Sequence, residues 1–246
     1  MKRAISIQVL IFAIIRIVFN TIHRMIYPFL GHFSRGLGVD LATLSLALTG
    51  RSIIGGIGPL LGAVADSRGR KIGLLLGAIT FTGGMIVVVV WPTLPAFFLA
   101  LVLTTLGKYI FDAAMQAYLS DQIPYQRRGT ALAVTESGWS LSFILGMPFV
   151  AFLIARGNWL TPFQIFSLFG VLIIALVLWM IPNDPVSEKD AVSIWVNIGE
   201  VLRYPPALAG FAIGILSSTA NEVINLIFGI WLSDSFGLHL IALGGA

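Results

Sequence analysis

Residues 72–107 have the sequence IGLLLGAITFTGGMIVVVVWPTLPAFFLALVLTTLG, which contains no charged side chain. A helix that crosses a bilayer needs about 20 mostly apolar residues, so this stretch is nearly long enough for two such helices. Pro92 and Pro95 lie in its middle, where the missing N–H and fixed φ of proline interrupt a continuous helix. The stretch therefore predicts two membrane-spanning helices joined by a tight turn at 91–95.

The rest of the chain contains further apolar stretches of similar length. Residues 137–155 and 159–181 carry no charge, whereas 5–30 and 41–65 contain isolated arginines. This pattern predicts an all-α membrane protein, because only helices and closed barrels satisfy their backbone polar groups in lipid. The predicted spans are 5–30, 41–65, 71–90, 95–119, 129–154, 160–181 and 206–232, followed by the start of an eighth over 237–246.

The overall composition excludes several classes of protein and of site. Hydrophobic residues make up 57% and charged residues 11%, whereas a typical globular domain has about 25% charged residues. Soluble, disordered and nucleic-acid-binding proteins are thereby excluded. The absence of cysteine excludes disulfides and thiolate metal sites, and no two of the three histidines have metal-ligand spacing. We therefore expect no metal and no cofactor.

The basic residues of the loops predict the orientation in the membrane. Cytoplasmic loops carry an excess of lysine and arginine. With a cytoplasmic N-terminus and an uncleaved first span, nine basic residues lie inside and two outside. The inner set is Lys2, Arg3, Arg68, Arg70, Lys71, Arg127, Arg128, Lys189 and Arg203, and the outer set is Arg35 and Arg156. We expect a multi-pass protein of a bacterial inner (plasma) membrane, with the lipid bilayer as its surroundings.

The longest connection follows the sixth predicted span. Residues 182–204 begin with Pro182-Asn-Asp-Pro185, which ends a helix, and 191–203 place apolar residues on one helical face. This pattern predicts an amphipathic helix on the cytoplasmic membrane surface. We therefore predict a six-helix transmembrane bundle over 1–181, a cytoplasmic linker over 182–204, and a seventh span with the start of an eighth over 205–246.

The loop between the second and third predicted spans has the sequence GAVADSRGRK, residues 62–71. Gly62, Asp66, Gly69, Arg70 and Lys71 occupy every fixed position of the pattern G-x-x-x-D-x-x-G-R-[RK]. In both pattern and position, this loop resembles the signature loop of the major facilitator superfamily of secondary transporters. Weaker likenesses to loops of that family occur at 121–129 and 156–163.

The resemblance implies a twelve-span fold in two six-helix halves around a central cavity. It also implies transport by alternating access, with Gly62, Asp66, Gly69, Arg70 and Lys71 forming a cytoplasmic conformational latch. This chain has seven predicted spans, so it is interpreted as a fragment, a truncated product or one piece of a larger assembly. A second chain or a further C-terminal half is then an expected partner.

Several polar side chains lie inside the predicted spans. A charge at the bilayer centre costs about 2.5–3.5 kcal/mol on insertion scales, so it needs a partner or a wet cavity. Arg16, Asn20, His23 and Tyr27 share one face of the first span, which predicts that this face points into the bundle. Lys108 and Asp112 are spaced for an i,i+4 ion pair.

Four other charged residues lie inside the predicted spans. Glu136 and Glu222 lie in the fifth and seventh spans. Arg24 is interpreted as reaching the outer membrane interface. Arg51 shares its face with Gly55, Gly58 and Gly62, and that face is interpreted as a helix-packing surface.

These residues suggest roles in a transporter. In the first six spans, four basic side chains accompany two acidic ones, a surplus that favours an anionic or zwitterionic small-molecule solute. The predicted substrate-binding residues are Arg16, Asn20, His23 and Lys108. The predicted proton-coupling residues are Asp112, Glu136 and Glu222, because desolvated carboxylates can exchange protons near neutral pH.

Two alternatives remain open from the sequence. The first is a non-transporting membrane scaffold, or a truncated half-transporter that needs a partner. The second is an intramembrane enzyme, which the residues disfavour. The sequence contains no Gly-x-Ser-x-Gly element, and His23 has no nucleophile partner on its own helix. No catalytic residue is predicted.

Overall fold

A computed structural model describes residues 3–55, 69–182, 203–206, 208–210, 212, 213 and 216. All regular secondary structure in these ranges is helical, and five of the described helical segments are long and apolar enough to cross a membrane. The predicted all-α membrane fold is confirmed. The chain divides into two compact units, Met1–Val186 and Ser187–Ala246, and the description below concerns the first.

The helices of this unit follow the order of the predicted spans. The bounds are α1 Arg3–Met25, α2 Leu30–Leu37, α3 Leu41–Gly55, α4 Arg70–Val90, α5 Leu94–Gln122, α6 Tyr125–Leu141, a π-helical turn Ser142–Gly146, α7 Met147–Arg156 and α8 Thr161–Met180. The end of the second predicted span, most of the predicted linker and most of the predicted seventh span lie outside the described residues.

The first predicted span is shorter than expected. We predicted one helix over 5–30, but α1 ends at Met25 and a separate short helix starts at Leu30. Pro28 explains the break, because proline lacks an N–H and disfavours helical backbone in the preceding residue. Gly38 then ends α2 in the left-handed conformation, with φ of 67°, which glycine adopts without steric cost.

The predicted turn at 91–95 is confirmed. The Thr93 N–H donates to the Trp91 carbonyl at 2.8 Å, and α5 starts immediately after with Pro95 in its first turn. This turn returns the chain antiparallel to α4, so the two helices form the most extensive helix pair in the unit.

The α4–α5 contact is close because glycine faces glycine. A Cβ atom on Gly77 would lie 2.6 Å from the backbone N of Phe111, and one on Gly107 would lie 2.5 Å from that of Phe81. Small residues permit such approach between membrane helices, where packing rather than the hydrophobic effect drives association.

Phenylalanines fill the space between α1 and this pair. The Phe19 ring stacks on Phe81 with centroids 3.9 Å apart, and it meets Phe111 at 5.0 Å. Leucine, isoleucine and tryptophan side chains on the outer faces, among them Leu168 and Trp179, are exposed on the bundle surface. That surface suits lipid, and the aromatic core fixes α1 against α4 and α5.

Candidate functional site

The predicted polar face, with Arg16, Asn20 and His23 on α1 and Tyr27 two residues beyond its end, points into the bundle. Arg16 is 5% exposed and Asn20 is fully buried, with 0% exposure. The face arises because spacings of four, three and four residues return to the same side of a helix. Helix α1 packs against α5 and α6, so their polar side chains can meet this face.

Four charged side chains from three helices form one contact network, hereafter the ion network: Arg16, Lys108, Asp112 and Glu136. On α5, Lys108 Nζ lies 2.5 Å from Asp112 Oδ2, which confirms the predicted i,i+4 pair. Arg16 Nε lies 3.4 Å from the other oxygen, Asp112 Oδ1, and Arg16 Nη1 donates to Glu136 Oε1 on α6. Two cations and two carboxylates balance, so the network as a whole carries no net charge.

The members of the ion network differ in their access to solvent. The side chains of Arg16, Lys108 and Asp112 are largely buried, whereas 51% of the Glu136 side chain is exposed. Buried ion pairs gain Coulomb energy in low dielectric but lose the solvation of both partners. Glu136 is therefore the least enclosed member of the ion network.

A close helix contact brings Glu136 to Arg16. Gly138 lies two residues after Glu136 on α6, and a Cβ atom there would come within 3.0 Å of the Ala13 carbonyl oxygen and of Arg16 Cβ. A larger side chain would push α6 away from α1. The glycine thus sets the separation across which Arg16 and Glu136 pair.

Arg24 does not reach the membrane interface, and that prediction is wrong. Its side chain is 6% exposed, and its guanidinium carbon lies 3.4 Å from the centroid of the Trp139 ring and 4.0 Å from that of Phe143. Aromatic faces attract a guanidinium through the ring quadrupole, more strongly when the pair is desolvated. Trp139 was not predicted from the sequence to be the partner of Arg24. The available signal was its position in the middle of a predicted span, because tryptophan in membrane proteins is enriched at the membrane interfaces.

Arg51 forms hydrogen bonds with residues of the first predicted span, whereas we predicted only that its helix face packs against another helix. It is 3% exposed; its Nη1 donates to the His23 carbonyl oxygen at 3.0 Å, and its Nη2 donates to the Tyr27 hydroxyl at 3.2 Å. Gly58 and Gly62, which we predicted to share a helix face with Arg51, lie outside the described residues. Arg51, Lys108 and Arg24 all lie close enough to His23 to act on it electrostatically, so positive charge converges at this level of the bundle.

Several buried polar atoms on these helices have no hydrogen-bond partner among the described residues. They are Arg16 Nε, both amide atoms of Asn20, His23 Nδ1, Arg51 Nε, Thr105 Oγ1 and Asp112 Oδ1. A buried polar group without a partner costs about 1–3 kcal/mol, so such groups are rare unless water or a ligand satisfies them. Asn20, with both amide atoms unpartnered, lies about one helical turn from both Arg16 and His23 on α1.

The cytoplasmic loop residues are only partly described. Gly69 has φ of 100° and precedes α4, which starts at Arg70. Arg70 Nε lies 2.9 Å from Asp121 Oδ2 at the end of α5, and Lys71 Nζ donates to the Leu178 carbonyl oxygen at 3.3 Å. Gly62 and Asp66 lie outside the described residues, as does Glu222. Within the described ranges, no group of three histidine, aspartate or glutamate side chains could hold a metal ion.

Comparison with known proteins gives consistent matches. The family model described as Major Facilitator Superfamily matches residues 12–246. An uncharacterised MFS-type transporter of Bacillus subtilis, YwfA, is 31% identical over 143 residues, which are 58% of this chain and 35% of that protein. A second one from the same organism, YfhI, is 24% identical over 213 residues, 87% of this chain and 51% of that protein. The chain thus spans about half or less of the length of these relatives.

Solved structures share the fold. A bacterial homologue of the human lysosomal transporter Spinster, in an inward-facing and unoccupied conformation, matches with a TM-score of 0.71 at 14% identity, covering all of this chain and 59% of that one. A POT family transporter in complex with a thioalcohol-conjugated peptide matches with a TM-score of 0.61 at 18% identity, covering 93% of this chain and 50% of that one. At these identities the likeness concerns the fold alone.

Proposed function

The chain belongs to the major facilitator superfamily and is an integral, multi-pass membrane protein. From this premise we propose that it works as a transporter rather than an enzyme, and that it moves a small anionic or amphipathic solute by proton-coupled alternating access. The observation that carries the proposal is the ion network, which joins α1, α5 and α6 inside the bundle. Intramembrane ionisable residues are expensive, and they commonly mark substrate pathways and proton relays.

The ion network offers a route from solute binding to proton uptake. An anionic solute that pairs with Arg16 or Lys108 competes with Asp112 and Glu136 for the same cations. A carboxylate that loses its cationic partner in a low-dielectric site favours its neutral, protonated form. Solute and proton then stabilise the same rearranged state, which is the linkage that symport requires.

The predicted site residues take distinct parts in this proposal. Arg16 and Lys108 bind the anionic group of the solute, and Asn20 and His23 add hydrogen bonds along the same face of α1. Asp112 and Glu136 exchange protons. Glu222 is proposed as a further proton-coupling residue from its sequence position alone.

The two halves of the transporter would move against each other around this site. Residues 1–181 are proposed as one six-helix half, connected through the linker over 182–204 to the segment 205–246. A further C-terminal half or a second chain would supply the opposite wall. Such rocking of repeats around a fixed central site is the general form of alternating access. We place the N-terminus in the cytoplasm of a bacterial cell, with the protein in its inner membrane.

The cytoplasmic loop is proposed as the latch of the outward-facing state. The contact between Arg70 and Asp121 supports this proposal, because it ties the start of α4 to the end of α5 at one membrane surface. Both side chains are partly exposed, so the bond is easily made and broken. Asp66, Gly62, Gly69 and Lys71 complete the proposed latch.

Proton flux tests the proposal. The full gene product that contains this chain is reconstituted in liposomes, and internal pH is followed with a trapped dye while lactate, succinate and glutamate are added. We expect one of these acids to drive proton entry in the wild type, and Asp112→Asn and Glu136→Gln to abolish it. Asp40→Asn is the matched control, because it removes a carboxylate at the start of α3 while asparagine still caps a helix.

The same assay contains the outcomes that would contradict the proposal. If no added acid changes the rate of proton entry, transport is not proton-coupled. If acid-driven proton entry persists in both Asp112→Asn and Glu136→Gln, these two carboxylates do not carry the proton. Asp66→Ala that inserts normally yet transports at the wild-type rate would remove the latch.

A further inference from the structure

Arg51 is a buried cation whose partners are neutral. It is 3% exposed, and among the described residues it contacts the His23 carbonyl oxygen, the Tyr27 hydroxyl and, at 5.6 Å, the Tyr27 ring. Within the described part of the chain, no carboxylate lies within ion-pair distance of Arg51. A charge so placed inside a membrane bundle is costly unless an anion neutralises it.

The free edge of this guanidinium has a definite shape. Nη1 and Nη2 already donate to His23 and Tyr27, whereas Nε has no partner among the described residues. The N–H of Nε and one N–H of the adjacent Nη form a parallel pair of donors. A carboxylate accepts such a pair with both oxygens in one plane, which makes the contact strong and specific.

Asn20 and His23 provide further polar atoms on the same helix. Asn20 is fully buried with both amide atoms unpartnered, and His23 Nδ1 is unpartnered as well. Both lie on the polar face of α1 whose Tyr27 and His23 hold Arg51. Asn20 is about 4.5 Å along the helix axis from His23 and about 6 Å from Arg16, at 1.5 Å per residue.

Among the described buried cations, Arg24 and Arg51 lie outside the ion network, and the Arg24 guanidinium is covered by the Trp139 and Phe143 rings, so the unoccupied edge of Arg51 offers one positive charge to an anion. Arg16 and Lys108 are already matched by Asp112 and Glu136 in the ion network. One guanidinium neutralises one carboxylate, whereas a phosphate dianion would leave negative charge uncompensated in low dielectric.

We infer that Arg51 is an anion subsite that takes the carboxylate group of the transported solute, and that Asn20, whose amide atoms are also unpartnered, is the next polar side chain that the solute meets along α1. This inference rests on the proposed function and deepens it, because it names monocarboxylates as the solute class and adds Arg51 to the cations that their carboxylate meets. Arg51 holds the carboxylate through its Nε edge before the carboxylate reaches Arg16 and Lys108, where it competes with Asp112 and Glu136.

Direct binding tests this inference without requiring transport. The purified full gene product is held in detergent at constant ionic strength, and thermal unfolding is followed with lactate, benzoate or acetate, with the neutral amide of each acid, and with inorganic phosphate. We expect at least one carboxylate to raise the unfolding midpoint in the wild type, and its amide and phosphate to leave that midpoint unchanged.

The variants locate the bound carboxylate. Because the carboxylate loses its buried, hydrogen-bonded cationic partner, Arg51→Gln should weaken carboxylate binding by roughly thirtyfold or more. Arg51→Lys keeps the charge and loses the fork, so it should bind with intermediate affinity and guards against a folding defect of the glutamine variant. Asn20→Ala should weaken binding too, and Arg156→Gln, at an exposed arginine that ends α7, should not.

Three results would overturn the inference. They are the absence of stabilisation by every carboxylate, equal stabilisation by acid and amide, and an unchanged carboxylate affinity in Arg51→Gln. If carboxylates bind independently of Arg51 while proton-linked flux persists in liposomes, only this subsite is wrong. Absence of acid-driven proton flux in liposomes that contain the wild-type protein would instead contradict the proposed function.

Discussion

At the scale of single residues, the charged side chains inside the bundle hold one another in place. Asp112 is the central member, because its two oxygens face Lys108 on its own helix and Arg16 on α1. Removing one partner from a buried pair leaves an uncompensated charge, whereas removing both partners together is often tolerated. The stability of the bundle should therefore depend on which charges are removed together.

Paired substitutions at Lys108 and Asp112 test this dependence. We expect Lys108→Met alone to lower the free energy of unfolding by about 3–5 kcal/mol, because Asp112 then keeps only its 3.4 Å contact with Arg16. Lys108→Met with Asp112→Leu should recover most of that loss. Thermal unfolding in detergent measures both, and a double variant as unstable as the sum of the two single variants would contradict the argument.

Residue-scale predictions from the sequence succeeded where one helix contains the whole pattern. The inward face of α1 and the Lys108–Asp112 pair follow from spacing alone. Arg24 and Arg51 did not, because their partners lie on other helices: Trp139 on α6 for Arg24, and α1 itself for Arg51. Spacing along one helix contains no information about which neighbour a guanidinium meets.

At the scale of elements, proline and glycine decide where helices end and how closely they pack. Pro28 ends the first span early, and the turn after Trp91 starts α5. The predicted span over 129–154 corresponds to a segment, Tyr125–Arg156, that contains a π-helical turn at Ser142–Gly146. The sequence predicted the span but not the turn, since the extra residue of a π-turn is accommodated by tertiary contacts rather than by a local signal.

Two glycines of α4 offer a matched pair of substitutions. Gly77→Ala should separate α4 from α5 and destabilise the bundle by about 1–3 kcal/mol, because its Cβ would lie 2.6 Å from the Phe111 backbone. Gly83 lies on the same helix, and a Cβ atom there would meet nothing within 4 Å. Gly83→Ala should therefore leave the stability of the bundle unchanged or raise it slightly. Unfolding midpoints in detergent compare the two, and equal effects would show that the α4–α5 distance is not set by Gly77.

At the scale of the whole molecule, the described part of the first unit combines an apolar outer surface with an aromatic core and a buried polar face on α1. The signature loop over 62–71 and the apolar spans sufficed to predict the family, and the match over residues 12–246 confirms it. The interhelical half of the candidate site, which includes Arg16–Glu136 and Arg51–Tyr27, depends on packing between distant segments and required the structure. The identity of the solute depends on the whole transporter, of which this chain spans about half or less by comparison with its curated relatives.

We propose that the polar face of α1 lines a path that opens in turn to the two sides of the membrane. Because this sequence contains no cysteine, Asn20→Cys introduces one thiol at a known depth. Leu168→Cys, on the exposed apolar surface, is the control, since a thiol in lipid ionises poorly and reacts slowly.

The decisive measurement is the reaction rate of Asn20→Cys with a membrane-impermeant thiol reagent, added to either side of oriented vesicles under opposite proton gradients. We expect the thiol to react with reagent added to either side of the membrane. Reversing the proton gradient should raise the reaction rate from one side and lower the rate from the other. A thiol that is inert from both sides, or whose rates ignore the gradient as those of Leu168→Cys should, would contradict it.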